Sequence, residues 1–168
     1  MASYSLYLVR HGVAAEQGPA YPNDDDRPLT SDGVERLRVQ VAGLLELDVR
    51  LDRIVTSPLV RAKQTAETLA AGLGCAAPLV TVDALRPGGR FDALMAALAR
   101  LEDARSIALV GHMPSIGEIA AKLVGAKEPL AFKKGSVCRI DFAAMPPAAG
   151  SGRLYWHIPP RALRALGH

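Results

Sequence analysis

The chain alternates between two kinds of periodicity, and that alternation limits its possible folds more than any other feature. Short runs rich in β-branched and aromatic residues stand at "YSLYLV" (4–9), "RIVT" (53–56), "PLVTV" (78–82), "SIALVG" (106–111), "SVCRIDF" (136–142) and "RLYWHI" (153–158). Between the first four, apolar residues recur at three- and four-residue steps: Val34, Leu37, Val41 and Leu44; then Leu59, Ala62, Ala66, Leu69 and Leu73; then Phe91, Leu94, Leu98 and Leu101. A further set, Ile116, Ala120 and Leu123, follows the fourth run. Such spacing places one apolar stripe on each helix. Strands that alternate with amphipathic helices form a largely parallel sheet covered on both faces. The last two strands are joined only by "AAMPPAAGSG", so they are expected to form an antiparallel hairpin at one edge. The expected fold is therefore α/β, a three-layer α/β/α sandwich with a mostly parallel sheet and an antiparallel edge. It is expected to span residues 1–168 as a single domain, since no linker or internal repeat divides the chain.

Helix starts are marked locally. Thr30 is placed to cap the first helix, with Asp32 in its first turn. Ser57 and Pro58 read as a cap followed by a first-position proline, and His112-Met113-Pro114 opens the fourth helix. The stretch "QGPAYPNDDDRP" (17–28) is too polar and too rich in proline for either element, and reads as a surface loop.

Composition narrows the function. The net charge of +3 comes with no basic stripe interleaved with aromatics, so nucleic acid is not an expected partner. No apolar run approaches the ~20 residues of a membrane span, and no secretion signal opens the chain, so the expectation is a cytoplasmic protein without membrane contact. Cys75 and Cys138 fit neither a metal-ligand spacing nor a disulfide framework, and are expected to be reduced.

Unusual polar groups stand just past three of the strands. Arg10 and His11 follow the first, Arg61 comes shortly after the second, and His112 follows the fourth. In a parallel sheet the carboxyl ends of the strands lie along one edge, where ligands bind, so these four side chains can meet in one pocket. Arg61 and His112 would stand at helix N-termini, which favour anions. Two arginines and two histidines suit a phosphoryl group. The guanidinium fork matches its oxygens, one neutral imidazole attacks phosphorus, and a second, protonated imidazole holds the developing charge. His157 and His168 have no partner motif and are not assigned to this pocket.

With these residues in view, "LVRHG" (8–12), "TSPLVRAKQTAE" (56–67) and "VGHMPSIGEIA" (110–120) resemble the histidine phosphatase superfamily, of phosphoglycerate-mutase-like fold. "DDDRPLTSDG" (24–33) and "KKGSVCRIDF" (133–142) resemble its SixA-type branch, the phosphohistidine phosphatases. The resemblance implies that His11 is the nucleophile that carries the phosphoryl group. Arg10, Arg61 and His112 would bind the phosphoryl oxygens, and water would then release inorganic phosphate without a metal or other cofactor.

One departure from the family is informative. Most branches place a glutamate after the third strand as proton donor, whereas here "VDALRPGGRFD" (82–92) puts Arg86 after Leu85. The SixA-type branch shares that absence. An imidazole leaves more readily than an alkoxide, so a strong positioned acid is less needed for phosphohistidine. The expected substrate is a phosphorylated protein of a phosphorelay or phosphotransfer type. A small phosphate ester is the first alternative, and a phosphoprotein-binding module with vestigial activity the second. Asp24 is the remaining candidate for a proton donor.

Overall fold

The computed structural model describes residues 3–168. Its elements run in the order β1 (Tyr4–Arg10), α1 (Ser31–Glu46), β2 (Arg53–Thr56), α2 (Val60–Leu73), β3 (Val80–Thr81), α3 (Phe91–Ala99), β4 (Ser106–Gly111), α4 (Ser115–Val124), β5 (Val137–Phe142), β6 (Arg153–Ile158) and α5 (Pro160–Leu166). Two 3₁₀ turns, Asp24–Asp26 and Asp83–Leu85, lie on loops near strand ends.

The six strands form one sheet in the order β3-β2-β4-β1-β5-β6. Strands β1, β2, β3 and β4 are mutually parallel, while β5 runs antiparallel to β1, and β6 to β5. Strand residues alternate between the two faces with the period of two that the pleat imposes. Leu6 and Leu8 of β1 and Ile107 and Leu109 of β4 pack with Leu94 and Leu98 of α3 and Ile116 and Leu123 of α4. Tyr7, Val9, Ala108 and Val110 face the other way, against Val41 and Leu44 of α1, Ala62, Ala66 and Leu69 of α2, and Leu163 of α5. The result is the expected three-layer sandwich with an antiparallel edge.

Three local expectations need correction. Helix α2 begins at Val60, and Leu59 stands at its cap without a side-chain bond, so Ser57 and Pro58 precede the helix instead of opening it. Strand β3 covers only two of the five residues expected; it is an edge strand, and Pro78 supplies no N–H to a ladder. Helix α5 has no counterpart among the expected elements. Thr30 behaves as expected, its Oγ1 accepting the Gly33 N–H at 2.9 Å.

The topology explains where a ligand would sit. Chain leaving β1 feeds α1 on one face, and chain leaving the adjacent β4 feeds α4 on the other. The two connections therefore part company above neighbouring strands and open a crevice at their carboxyl ends.

Candidate active site

His11, Arg61 and His112 meet in that crevice, with Arg10 at the end of β1 beside His11. All but Arg10 are buried. The His11 and His112 rings lie 5.1 Å apart between centroids, tilted by 53°. Arg61 Nε donates to His11 Nε2 at 3.3 Å across 50 residues of sequence. Parallel pairing of β1 with β4, and of β4 with β2, brings these distant segments together.

His11 is held in one tautomer. Its Nδ1 lies 2.7 Å from the Gly12 carbonyl, an atom that only accepts, so the proton is on Nδ1 and the Nε2 lone pair is the free one. The Gly12 N–H donates to Thr65 Oγ1 at 3.1 Å, and the Thr65 hydroxyl donates to the Arg61 carbonyl at 2.8 Å. Thr65 thus ties the first turn of α2 to the backbone that orients the imidazole. Burial lowers the His11 pKa to about 3; the bond to Gly12 opposes the shift, and the charges of His112, Arg61 and Arg10 reinforce it. Near neutral pH His11 is an uncharged imidazole with an unprotonated Nε2, held only by the long 3.3 Å contact from Arg61, and an unprotonated nitrogen is what a nucleophile requires.

His112 differs from the expected protonated imidazole. Burial lowers its pKa to about 4, aided by Arg61 and opposed by Asp24, so in this structure it is neutral near pH 7. Its Nε2 is 2.7 Å from Ser57 Oγ, and its Nδ1 is buried without a partner. Arg10 has the same incompleteness. Its Nη1 donates to the Phe132 carbonyl at 2.7 Å, but its buried Nε has no partner. Buried polar atoms are rarely left unpaired, so two in one cluster indicate a place for a polar ligand group.

Asp24 joins the cluster from the 17–28 loop. Arg61 Nη2 donates to Asp24 Oδ2 at 2.9 Å and Nη1 to its carbonyl at 2.8 Å, while Arg27 Nε donates to Oδ1 at 2.8 Å. Burial raises the Asp24 pKa, but the bonds from Arg61 and Arg27 outweigh it and hold the carboxyl below its ordinary range. Asp24 is therefore ionised here, a carboxylate lying on the guanidinium fork. At the end of the third strand Arg86 donates to Asp25 at 2.9 Å and to Asp83 at 3.2 Å, presenting a cation where other branches place an acid.

Ser57, Thr65 and Arg27 take part in the site although sequence reasoning gave them no role there. The signal for Thr65 was its i,i+4 spacing from Arg61, which puts both on one helix face. His157 stays outside, its ring packed on Phe132 with centroids 4.5 Å apart. Among the described residues no group of three or more His, Cys, Asp or Glu side chains is placed to hold a metal. Both cysteines are free, and burial pushes the Cys138 thiol up to about 12. The two larger surface cavities, about 480 and 490 Å³, lie between α1 and α2 and between β3 and α3, away from these groups. Neither is lined by Arg10, His11, Arg61 or His112.

A sheet of this order, covered by helices on both faces and with two imidazoles and two guanidiniums at its carboxyl edge, has the phosphoglycerate-mutase-like fold. Comparisons with known proteins agree. Residues 6–87 match the model of the histidine phosphatase superfamily (branch 1). An uncharacterized protein of Picosynechococcus is 44% identical over 117 residues, which span 68% of this chain and 70% of that protein. The phosphohistidine phosphatase SixA of Escherichia coli K12 is 27% identical over 161 residues, 95% of this chain and 96% of the relative. A structure of the protein histidine phosphatase SixA complexed with tungstate superposes with a TM-score of 0.83 at 26% identity, covering 95% of this chain and 99% of that one. The chain belongs to the histidine phosphatase superfamily, in its SixA-type branch, and is a phosphatase of that family.

Proposed function

We propose that the chain hydrolyses phosphohistidine on a protein, by way of a phosphohistidine formed on its own His11. The observation that carries the reading is the combination of an uncharged, oriented imidazole with the lack of a proton-bearing carboxyl beside it. His11 Nε2 has its lone pair free of a proton, while the nearest carboxylate, Asp24, is kept ionised by two arginines. Such a site attacks well and protonates poorly.

In the first step the Nε2 lone pair forms a bond to phosphorus while the bond from phosphorus to the substrate nitrogen breaks. The electron pair leaves on an imidazole whose remote nitrogen carries a proton from solvent, so the product is a neutral ring that needs no acid from the enzyme. Arg61 must first release His11 Nε2, and its 3.3 Å contact there is long enough to yield easily. The unpartnered Nε of Arg10, the Arg61 N–H groups that Asp24 does not take and the unpartnered nitrogen of His112 supply donors for the three phosphoryl oxygens. The positive charge comes from the two guanidiniums, which makes a metal unnecessary. In the second step water attacks phosphorus, the bond to Nε2 breaks with its electrons returning to His11, and the water proton leaves on inorganic phosphate. Two further facts support the reading: a relative over nearly the whole chain bears the name phosphohistidine phosphatase, and a similar structure, of a protein histidine phosphatase SixA, holds tungstate, a tetrahedral oxyanion.

The test compares specificity constants for a phosphohistidine protein, a phosphohistidine peptide and a panel of phosphate monoesters. General acid catalysis is worth roughly 10²–10⁴-fold, so alkyl phosphates should trail phosphohistidine by at least that order. Transient kinetics should show phosphorylation of His11 depending steeply on leaving-group pKa. Equal constants for alkyl esters and phosphohistidine would overturn the reading and point to a small-ester phosphatase with another acid. A steep dependence that Asp24→Asn left unchanged would exclude Asp24 as the donor.

A further inference from the structure

The structure assigns Ser57 as the positioning residue that fixes His112 in its Nδ1–H form, so that the second histidine meets the phosphoryl group with a proton and not with a lone pair. The assignment rests on the phosphatase reading for its purpose, but its evidence is a count of donors and acceptors. Ser57 is fully buried and His112 is 2% exposed, so water does not complete their hydrogen bonding. The Leu59 N–H, which can only donate, points to Ser57 Oγ at 3.2 Å and occupies one of its lone pairs. The other partner of Oγ is His112 Nε2 at 2.7 Å. The hydroxyl has a proton to place, and of these two neighbours only the imidazole nitrogen can accept it. Ser57 therefore donates to Nε2, and in a neutral ring the proton must then sit on Nδ1.

The opposite tautomer fails twice. With Nε2–H donating to Oγ, the serine proton would be buried without an acceptor, an arrangement proteins avoid. Nδ1 would then carry a lone pair in a cluster where an oxyanion is to bind. With the assignment made here, the buried and unpartnered Nδ1 is a donor, matching the unpartnered donor of Arg10 Nε. The two histidines thus share one tautomer and use opposite sides of the ring. In His11 the backbone carbonyl accepts from Nδ1–H and leaves Nε2 unprotonated, to attack once Arg61 releases it. In His112 the serine covers Nε2 and leaves the Nδ1 proton to bind. Ser57 is itself held from behind, because Thr56 Oγ1 donates to its carbonyl at 3.0 Å.

Long-range ¹H–¹⁵N correlation spectra of the ¹⁵N-labelled full chain at pH 7 read each ring nitrogen directly. The native protein should show His112 Nδ1 as protonated and Nε2 as a hydrogen-bonded acceptor, and inorganic phosphate should perturb the Nδ1 signal. Ser57→Ala should release the lock and populate the Nε2–H form, with kcat for an aryl phosphate falling roughly 10–100-fold. Ser57→Thr, which keeps the hydroxyl, should retain the native tautomer and most of the rate. An Nε2–H signature in the native protein would overturn the assignment without any variant being made. So would a native tautomer that persisted in folded Ser57→Ala. Because the spectra need no turnover, native Nδ1–H in a protein inactive on every phosphate compound would refute the phosphatase reading and leave the tautomer assignment standing.

Discussion

Arg61 shows how much of the site depends on one side chain's shape. Its three nitrogens reach in three directions, to His11 Nε2, to the Asp24 carbonyl and to the Asp24 carboxylate, from a residue only 4% exposed. A lysine ammonium is one point of charge and cannot serve these partners from one position. Arg61→Lys should lower kcat/KM for any phosphohistidine substrate by ~10-fold or more, the scale of one or two charge-assisted bonds. Steady-state kinetics check this, and an unchanged constant would show that Arg61 does not touch the phosphoryl group. The convergence of Arg10, His11, Arg61 and His112 was legible in the sequence because each stands at or shortly past the end of a strand. Their couplings were not. The partner of His11 Nδ1 is a backbone carbonyl, which no residue type announces, and the Asp24–Arg61 pair spans 37 residues between a loop and the first turn of α2.

Among the elements, legibility followed the strength of the apolar period. Helices α1, α2 and α4 each bury a full stripe and were readable; α5 buries only Leu163 and left no periodic trace. Strand β3 was overestimated because β-rich composition says nothing about how much of a run finds a partner. The start of α1 has a consequence for the site. Its N-terminus lies against the segment that leaves His11, and a Cβ on Gly33 would sit 2.2 Å from the Val13 carbonyl oxygen. The same carbonyl accepts the Thr30 N–H at 3.0 Å, so it has little room to move. This close approach accounts for the glycine that ends the "RPLTSDG" stretch. Gly33→Ala should therefore destabilise the protein by roughly 1–3 kcal/mol, despite the better helix propensity of alanine, since helix and loop must separate. Urea denaturation measures this, and an equal or higher midpoint would mean that the helix shifts at no cost.

At the scale of the whole molecule, parallel alternation told where a site would lie, while the sheet order, which makes β1 and β4 neighbours, emerged only from the structure. Concentrating the functional groups in a buried crevice ties stability to pH. His11 and His112 have pKa values lowered to about 3 and about 4, from 6.5, chiefly by burial, and burial also lowers that of His157. The unfolded chain thus binds protons near pH 6.5 that the folded chain refuses until far lower pH. The stability these groups contribute is fully present above 6.5 and drains away as pH falls toward 4 and then 3. Cys138 acts with the opposite sign, since its raised pKa leaves the folded state protonated where the unfolded thiol ionises, and that contribution is lost as pH rises past the ordinary value of 9.0 toward about 12. On the acid side the loss is at most ~1.4 kcal/mol per histidine per pH unit, so His11 and His112 together could remove up to ~4 kcal/mol between pH 6.5 and pH 5. Against a typical domain stability of about 5–15 kcal/mol, that is a large fraction. Asp24 does not complicate this window: its pKa is pushed below 3.8, so its own contribution is lost only at lower pH. Urea denaturation of the native protein should therefore show a clear fall in midpoint from pH 7 to pH 5 with an unchanged m-value. His11→Gln and His112→Gln remove the titrating ring and should each flatten that dependence, whatever they do to stability at pH 7. Equal native midpoints at the two pH values would mean that both rings take up protons as freely folded as unfolded, and a nucleophile kept neutral by burial would have to be abandoned.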